Sequence, residues 1–413
     1  MLGISYGELG FHRKAVDAYQ QAIRMKPDDA NVYYNLAISY SELDLQQEAM
    51  EAYQRTIQLN PDAADARFNL GNTYLDRGLH TEAVDAYQQA IRIDPNHKNA
   101  YYNLGITYGR LDRPKEAVDA FKQAIELDPD HKASHYNLGI SYGKLDLNRE
   151  GVDAFQRALR IDPEYADAYY LLGISYSKLD LQQEAVEAYQ QAIRMKPDDS
   201  GAYYNLGISY GKLDLYKEAI GAFKQVTRID PDDVSAYYNL GHMHQKIGLP
   251  KEAIEDYRQV IRIKPAAADA HFSLGNMYLE LGLRRKAMDA FNQAVRLNPE
   301  NETAHFALGY MYSSLGLHKE AIEAYKQAVR VNPDFFKAHF NLGISYSELN
   351  LNQEAVEAYK QVIRLGPDNA KAHFNLGVEY IMLNNKEGAL AHYNVLEALD
   401  QKKADELADL INK

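Results

Sequence analysis

A period of 34 residues runs through this chain. Proline marks the period, because eleven prolines from Pro27 to Pro367 follow one another at intervals of 34 residues. A regular repeat of this length predicts stacked units, since one unit cannot bury its apolar face alone and must pack on its neighbours. Twelve such repeats account for almost all of the 413 residues. The period therefore predicts one continuous elongated core rather than several globular domains.

Apolar and small residues recur at fixed places in each repeat. Numbering positions so that Ala30 is position 1 of the second repeat, Leu occupies position 7 in all twelve repeats, and Gly occupies position 8 in eleven. Tyr at position 11, Ala at position 20 and an aromatic residue at position 24 recur in the same way. Spacings of three and four residues predict two helices per repeat. We expect the small residues at positions 8 and 20 to let the two backbones approach, while the aromatic side chains fill the remaining space.

Turn residues separate the two predicted helices. Position 15 is always Gly, Asp or Asn, residues that tolerate the left-handed conformation in which a helix ends. Pro114 and Pro250 stand at position 17, where proline begins a helix without loss. The proline at position 32 breaks the second helix. Each repeat is thus predicted to be a pair of antiparallel helices.

The repeat pattern resembles the tetratricopeptide repeat (TPR) family, as in Ala-Tyr-Tyr-Leu-Leu-Gly at 168–173 and Glu-Ala at 184–185. The resemblance spans essentially the whole chain, although Tyr or His replaces the Trp that the family carries near the start of the first helix. It implies an all-α fold, a right-handed superhelical solenoid of stacked helix pairs. It also implies an inner wall made by the first helix of each pair and a role in holding proteins or peptides.

We expect the solenoid to occupy residues 1–401, with a truncated first repeat, and a C-terminal capping helix to follow at 402–413. In that last segment the proline is lost, and Leu407, Leu410 and Ile411 form an apolar stripe among charged residues. A terminal cap with a polar outer face is what a solenoid needs for solubility.

Composition excludes several classes of function. The chain has 45 basic and 58 acidic residues, a net charge of −13, which argues against duplex nucleic acid as a general partner. It contains no Cys, so thiol catalysis and thiolate metal sites are excluded. No apolar run approaches the ~18 residues of a membrane span. No signal peptide heads the chain, since Met1 already lies inside a repeat; the cytoplasm is the default compartment, and the periplasm or extracellular space would need a removed upstream signal.

Two motifs that imitate functional sites are explained by the repeat. Gly-Ile-Ser-Tyr-Gly at 139–143 and 207–211 matches a hydrolase nucleophile motif, but that motif needs a strand–turn–helix context and here lies within a helix.

The histidines at position 4 are separated from one another by a helix pair, which is too far for them to bind one metal ion. They are interpreted as core replacements for Trp. We therefore expect no enzyme activity, no cofactor and no metal site. These histidines are His271, His305, His339 and His373.

Three rows of residues share the side of the first helix opposite to its core positions. Position 6 is Asn in eight repeats, and amides can donate to and accept from an extended backbone. This row resembles the asparagine ladders of superhelical protein O-glycosyltransferase arrays, which implies that it binds peptide backbones. The alternative is that Asn only completes a common repeat pattern.

Position 9 is Ile in seven repeats. A contiguous apolar strip of this kind indicates either a partner or partial burial by superhelical curvature. Position 13 is basic only in the middle of the chain, which predicts either an acidic partner or a solvated lysine row.

Tyrosines at position 5 add amphipathic contact area beside these rows. The fourth to eighth repeats are therefore the predicted groove. The basic clamp by which some family members hold a C-terminal carboxylate is not expected, because position 5 is aromatic and position 6 has no Arg in this chain. The predicted binding residues are Tyr102, Tyr136, Tyr170, Tyr204 and Tyr238; Asn103, Asn137, Asn205 and Asn239; Ile106, Ile140, Ile174 and Ile208; and Arg110, Lys144, Lys178, Lys212 and Lys246.

Three functions stay open at this point. The preferred hypothesis is a non-enzymatic scaffold that holds an extended peptide or a partner helix in its groove. The second is a structural protein that assembles end to end, because the repeats are alike enough to mimic one another and the first helix has no cap. The third is the regulatory or substrate-recognition array of a larger enzyme, such as a protein glycosyltransferase.

Overall fold

The described part of the protein is helical from end to end. The computed structural model covers residues 2–412, which form 25 α-helices and contain no β-strand. The chain divides into two compact units, residues 1–214 (the N-terminal unit) and residues 215–413 (the C-terminal unit). The N-terminal unit contains α1 (Leu2–Glu8), α2 (His12–Met25), α3 (Ala30–Glu42), α4 (Gln46–Leu59), α5 (Ala64–Asp76), α6 (His80–Ile93), α7 (Lys98–Arg110), α8 (Pro114–Leu127), α9 (Lys132–Lys144), α10 (Asn148–Ile161), α11 (Ala166–Lys178), α12 (Gln182–Met195) and α13 (Ser200–Lys212).

The C-terminal unit continues the same alternation of first and second helices. Within each unit, consecutive helices pack on one another in sequence order. The helices of this unit are α14 (Tyr216–Ile229), α15 (Val234–Lys246), α16 (Pro250–Ile263), α17 (Ala268–Glu280), α18 (Arg284–Leu297), α19 (Glu302–Ser314), α20 (His318–Val331), α21 (Phe336–Glu348), α22 (Asn352–Leu365), α23 (Ala370–Met382), α24 (Lys386–Leu399) and α25 (Gln401–Ile411).

The turn between the two helices of each repeat is the left-handed one that the sequence predicts. The backbone φ angle at position 15 is positive in all twelve repeats, from 54° at Asp112 to 76° at Gly10. Pro114 and Pro250 stand in the first turn of α8 and α16. The antiparallel helix pairs of the all-α prediction are confirmed.

The glycine at position 8 makes room for an aromatic side chain as well as for the second helix backbone. A Cβ atom added at Gly105 would lie 2.6 Å from the ring of Phe121, and one at Gly173 would lie 2.6 Å from the ring of Tyr189. The glycine therefore makes room for the aromatic side chain at position 24 of the same repeat. The expected approach of the two backbones is also seen, because a Cβ atom added at Gly151, at position 20, would lie 3.5 Å from the carbonyl oxygen of Gly139, at position 8. The rings are among the largest fully buried side chains of the protein.

A hydrogen bond at the second helix fastens each of several repeats to the next one. Gln156 Nε2 donates to the hydroxyl oxygen of Tyr176 at 2.8 Å, and Gln190 Nε2 donates to that of Tyr210 at 2.8 Å. Position 25 of one repeat thus contacts position 11 of its successor. Because the stack is built from such local contacts, each repeat depends mainly on its immediate neighbours.

Each of the four histidines at position 4 in the C-terminal unit contacts the preceding turn, and only His373 of them is buried in the core, while the other three are half-buried. The Nε2 atom of His339 lies 2.9 Å from the carbonyl oxygen of Pro333, and that of His373 lies 2.8 Å from the carbonyl oxygen of Pro367. A carbonyl can only accept, so Nε2 carries the proton in these rings. Among the described residues, no group of three or more potential metal ligands is brought together.

The last helix covers the end of the C-terminal unit. α25 packs on α23 and α24, and its Leu407 and Ala404 are fully buried against Leu396. Ile411 also packs against this cluster, whereas Leu410 is exposed. Within residues 2–412, no helix is both long and apolar enough to span a membrane.

Candidate functional site

Most of the predicted binding residues lie on four consecutive first helices of the N-terminal unit. These helices are α7, α9, α11 and α13, and each contacts the next one within that unit. Their residues at positions 5, 6, 9 and 13 are here called the first-helix face. It consists of Tyr102, Tyr136, Tyr170 and Tyr204; Asn103, Asn137, Leu171 and Asn205; Ile106, Ile140, Ile174 and Ile208; and Arg110, Lys144, Lys178 and Lys212.

The tyrosines of this face are half-buried and stand on the aromatic core. The ring of Tyr102 lies 5.9 Å from that of Phe121, and the ring of Tyr170 lies 6.1 Å from that of Tyr189, measured between centroids. Aromatic side chains packed in this way have few rotamers left. The position of each phenol hydroxyl is therefore fixed by the core of its own repeat.

Asparagines of the next repeat bind these hydroxyl groups. Asn137 Nδ2 donates to the phenol oxygen of Tyr102 at 3.5 Å, and Asn205 Nδ2 donates to that of Tyr170 at 3.1 Å. Asn137 Nδ2 also donates to the carbonyl oxygen of Ala133 in its own helix at 2.8 Å. Among the described residues, no hydrogen bond engages the amide oxygen or the phenol hydrogen of either pair. Asn69 and Tyr34 form the same link two repeats earlier, at 3.1 Å.

Asn103 has a different partner, which the sequence argument did not identify. Its Nδ2 donates to Asn72 Oδ1 at 2.8 Å, and the hydroxyl of Tyr87 donates to the same oxygen at 2.8 Å. Asn72 stands at position 9, where the neighbouring repeats have Ile. That interruption of the isoleucine row is the sequence signal for this cluster.

The four isoleucines of the face form an unbroken row. Ile106, Ile140, Ile174 and Ile208 occupy the same position in four consecutive repeats and are all half-buried. Ile106 packs against the edge of one core cluster and Ile140 against another. Part of each side chain therefore belongs to the core, and the remaining part is apolar surface between the Tyr–Asn pairs and the basic residues.

The basic residues at position 13 lie near carboxylates at position 15 of the preceding repeat, in the turn between its two helices. Lys144 Nζ lies 3.2 Å from Asp112 Oδ1, and Lys178 Nζ lies 3.5 Å from Asp146 Oδ1. From the sequence, these aspartates were predicted only to form the left-handed turn. A spacing of 32 residues between Asp and Lys is the signal that could have revealed the pairs. They reduce the positive charge of this row, while Arg110 and Lys212 are also exposed to solvent.

Burial keeps the phenol groups of the face protonated. Desolvation raises the pKa of Tyr102, and the hydrogen bond from Asn137 opposes that rise only in part. Desolvation is also the main cause of the raised pKa of Tyr170, with the nearby carboxylate of Asp199 adding to it. Both hydroxyls are therefore hydrogen-bond donors at any physiological pH.

Three predicted residues lie in the C-terminal unit, on α15. The ring of Tyr238 lies 5.7 Å from that of Tyr257. Asn239 Nδ2 donates to the carbonyl oxygen of Ser235 at 2.9 Å, and Lys246 is exposed. They repeat within this unit the local environment of positions 5, 6 and 13.

Family models match nearly the whole chain. One, described as "TPR repeat", matches residues 3–44, 150–180, 182–214, 216–248, 251–282 and 309–350. Four others, described as "Tetratricopeptide repeat", match residues 30–63, 62–130, 234–266, 268–301 and 340–404. A comparison with curated proteins gave no match.

Solved structures of repeat proteins are similar to this chain. The C-terminal part of a TPR repeat-containing protein from Cytophaga hutchinsonii is 17% identical, with a TM-score of 0.52 over 58% of this chain and 98% of that one. That likeness shows the fold. MamA is 31% identical over 42% of this chain and 94% of its own, with a TM-score of 0.39. YrrB, titled a TPR protein with an unusual peptide-binding site, is 27% identical over 45% of this chain and 96% of its own, with a TM-score of 0.43.

Proposed function

Because this chain belongs to the tetratricopeptide repeat family, we propose that its first-helix face holds a peptide segment of a partner protein. The chain is a TPR scaffold, a class that generally serves protein–protein interaction and is generally non-catalytic. The partner is either an extended peptide or a helix.

The Tyr–Asn pairs beside the isoleucine row are the observation that supports this proposal. Each pair offers one hydroxyl donor and one amide acceptor, which together match a peptide group. Each isoleucine offers alkyl surface next to them. Apolar contact area with a few fixed polar groups is the usual composition of a peptide-binding surface.

Charge is expected to contribute less than apolar contact. The ammonium groups of Lys144 and Lys178 already have carboxylate partners, and exposed ion pairs of this kind are screened by salt. The sequence-based prediction of an acidic partner therefore depends most on Arg110 and Lys212. A salt series tests it, because binding of an acidic peptide should weaken as the salt concentration rises.

A selection of random 12-residue peptides on phage tests the proposed function. We expect peptides selected on the natural chain to lose binding when Ile140 and Ile174 are both changed to Asp, since two carboxylates then replace the centre of the apolar row. The matched control carries Gln123→Asp and Gln191→Asp, two new carboxylates at position 26 of the second helices of the fourth and sixth repeats. This control should bind the selected peptides as the natural chain does.

Two results would contradict the proposal. One is a selection that yields no peptide above background. The other is a set of peptides that bind the Ile140→Asp, Ile174→Asp variant as tightly as the natural chain, provided circular dichroism shows that this variant keeps its helices. The second result would place the binding surface elsewhere on the scaffold.

A further inference from the structure

The spacing of the isoleucines on the first-helix face fixes a length scale. In the N-terminal unit, α7, α9, α11 and α13 contact one another in series, and the Tyr102–Asn137 bond crosses directly from one helix to the next. Helices in direct contact lie ~8–10 Å apart. One isoleucine side chain per helix therefore gives an apolar contact about every 8–10 Å along this face.

An extended peptide matches that distance once every three residues. A strand advances ~3.3 Å per residue, and a polyproline II segment ~3.1 Å. Three residues thus cover about 9–10 Å, whereas two cover about 6.5 Å and four about 13 Å. A peptide with alternating apolar residues would meet only every second isoleucine of the row, because the two spacings coincide once in six residues.

Spacing alone does not separate an extended peptide from a helix. An α-helix advances ~1.5 Å per residue, so seven residues cover about 10.5 Å and a heptad repeat would also reach each isoleucine. The hydrogen-bonding groups of the face make the distinction. The backbone groups inside a helix are already paired with one another, while those of an extended peptide still need partners.

The Tyr–Asn pairs offer such partners at a matching interval. The Tyr102–Asn137 and Tyr170–Asn205 pairs stand two repeats apart, the distance of about six extended residues. In each pair the amide nitrogen donates to the phenol oxygen, and no hydrogen bond among the described residues engages the phenol hydrogen or the amide oxygen. Six is a multiple of three, so the same register that places apolar side chains on the isoleucines brings a peptide group to each pair.

We propose that the first-helix face binds an extended peptide that carries an apolar side chain at every third residue. This inference rests on the proposed function. It selects the extended peptide over the partner helix and adds a sequence pattern that the ligand must have.

Three synthetic peptides with four Ile residues each test the pattern. The first has four Ile–Ser–Ser triplets. The second has the same four Ile and eight Ser residues, with Ile at its first, third, fifth and seventh positions. The third is a helix-forming 22-residue peptide with its four Ile residues at heptad spacing. Measured by fluorescence anisotropy, we expect the triplet peptide to bind about tenfold more tightly than either of the others. The second peptide loses contacts with the isoleucine row, and the backbone groups of the third are already paired within its helix.

A double variant tests the hydrogen bonds. Asn137→Leu with Asn205→Leu removes both amides, and Leu171 shows that the fold accepts leucine at this position. We expect this variant to bind the triplet peptide at least about threefold more weakly, since each lost hydrogen bond removes part of the affinity.

The outcomes separate the two levels of the proposal. Equal affinity for the two isomeric Ile/Ser peptides, or tighter binding of the heptad peptide, would overturn the three-residue pattern. If Ile140→Asp with Ile174→Asp still abolished that binding, the proposed function would stand. Failure of the triplet peptide to bind, while phage-selected peptides do bind, would also overturn the pattern alone. Failure of both probes would overturn the proposed function itself.

Discussion

The two helices of each repeat present surfaces that differ in the kind of side chain that is paired. On the second helices, exposed charged side chains pair within one helix, as Lys360 does with Glu357, and between repeats, as Arg364 does with Asp334. On the first-helix face, half-buried neutral side chains pair between repeats, as in the Tyr170–Asn205 bond. Exposed ion pairs are weak and are screened by salt. The neutral bonds of the first-helix face stand on the core instead, which is the property expected of a surface preorganised for a ligand.

The largest effect should come from the core beneath the first-helix face. Gly173→Val would place side-chain atoms where the ring of Tyr189 lies, and overpacking of this kind costs about 1–3 kcal/mol. Urea unfolding should show a lower midpoint for this variant, and peptide binding should weaken as well.

The matched control is Gly143→Ala, where an added Cβ meets nothing within 4 Å. That change should stabilise α9 by about 0.5–1 kcal/mol, since alanine loses less entropy than glycine in a helix. Equal midpoints for the two variants would contradict the account.

Acid should weaken the last repeat next. Burial lowers the pKa of His392 to about 4, with the neighbouring His373 and Lys360 adding to the effect. The Nδ1 atoms of the two histidines lie 2.9 Å apart, and the ring of His392 stacks on that of Tyr380. Folding favours the neutral form of His392. This side chain therefore contributes fully to the free energy of unfolding above the unfolded pKa of ~6.5, and the contribution is lost as the pH falls toward 4. We expect the free energy of unfolding to decrease by about 1–2 kcal/mol between pH 7 and pH 4.5, allowing for partial exposure of the ring.

His392→Ala provides the control for that prediction, because Ala occupies position 23 in ten of the other repeats. Thermal unfolding followed at both pH values should show a smaller difference in the variant than in the natural chain. A difference of the same size in both proteins would mean that other groups cause the acid sensitivity.

A smaller effect is expected within the first-helix face itself. Tyr170→Phe removes the hydroxyl that accepts from Asn205 and should cost about 0.5–1.5 kcal/mol. Tyr136→Phe is the matched change one repeat earlier, where Leu171 stands in place of the asparagine. Urea unfolding of the two variants should place Tyr170→Phe at the lower midpoint. The reverse order would show that the Tyr–Asn bonds do not hold the face together.

The smallest effect should come from the second-helix surface. Lys360→Ala removes an exposed ion pair with Glu357, a contact worth about 0.5 kcal/mol or less. The unfolding midpoint should barely move, and binding of a selected peptide should not change. A loss of binding here would remove the contrast between the two surfaces.

The sequence predicts the parts of this fold that depend on one repeat. Asp112 and Gly10 share no side-chain chemistry, yet both were expected to adopt the left-handed turn, because that property belongs to the residue itself. The role of Gly105 was predicted only in part, since only the structure reveals that Phe121 fills the space beside it. The Lys144–Asp112 pair was missed for a related reason. It joins two repeats, and the period shows which residues recur but not which of them meet across an interface.

The ligand face is the central claim, and site-directed photocrosslinking tests it most directly. A benzophenone side chain would replace Ile140 on the first-helix face in one variant and Glu187 on the second helices in another, each mixed with a peptide selected on phage. The account predicts a crosslinked product of protein and peptide at position 140 and none above background at position 187. Equal products at the two positions, or a product at position 187 alone, would contradict it.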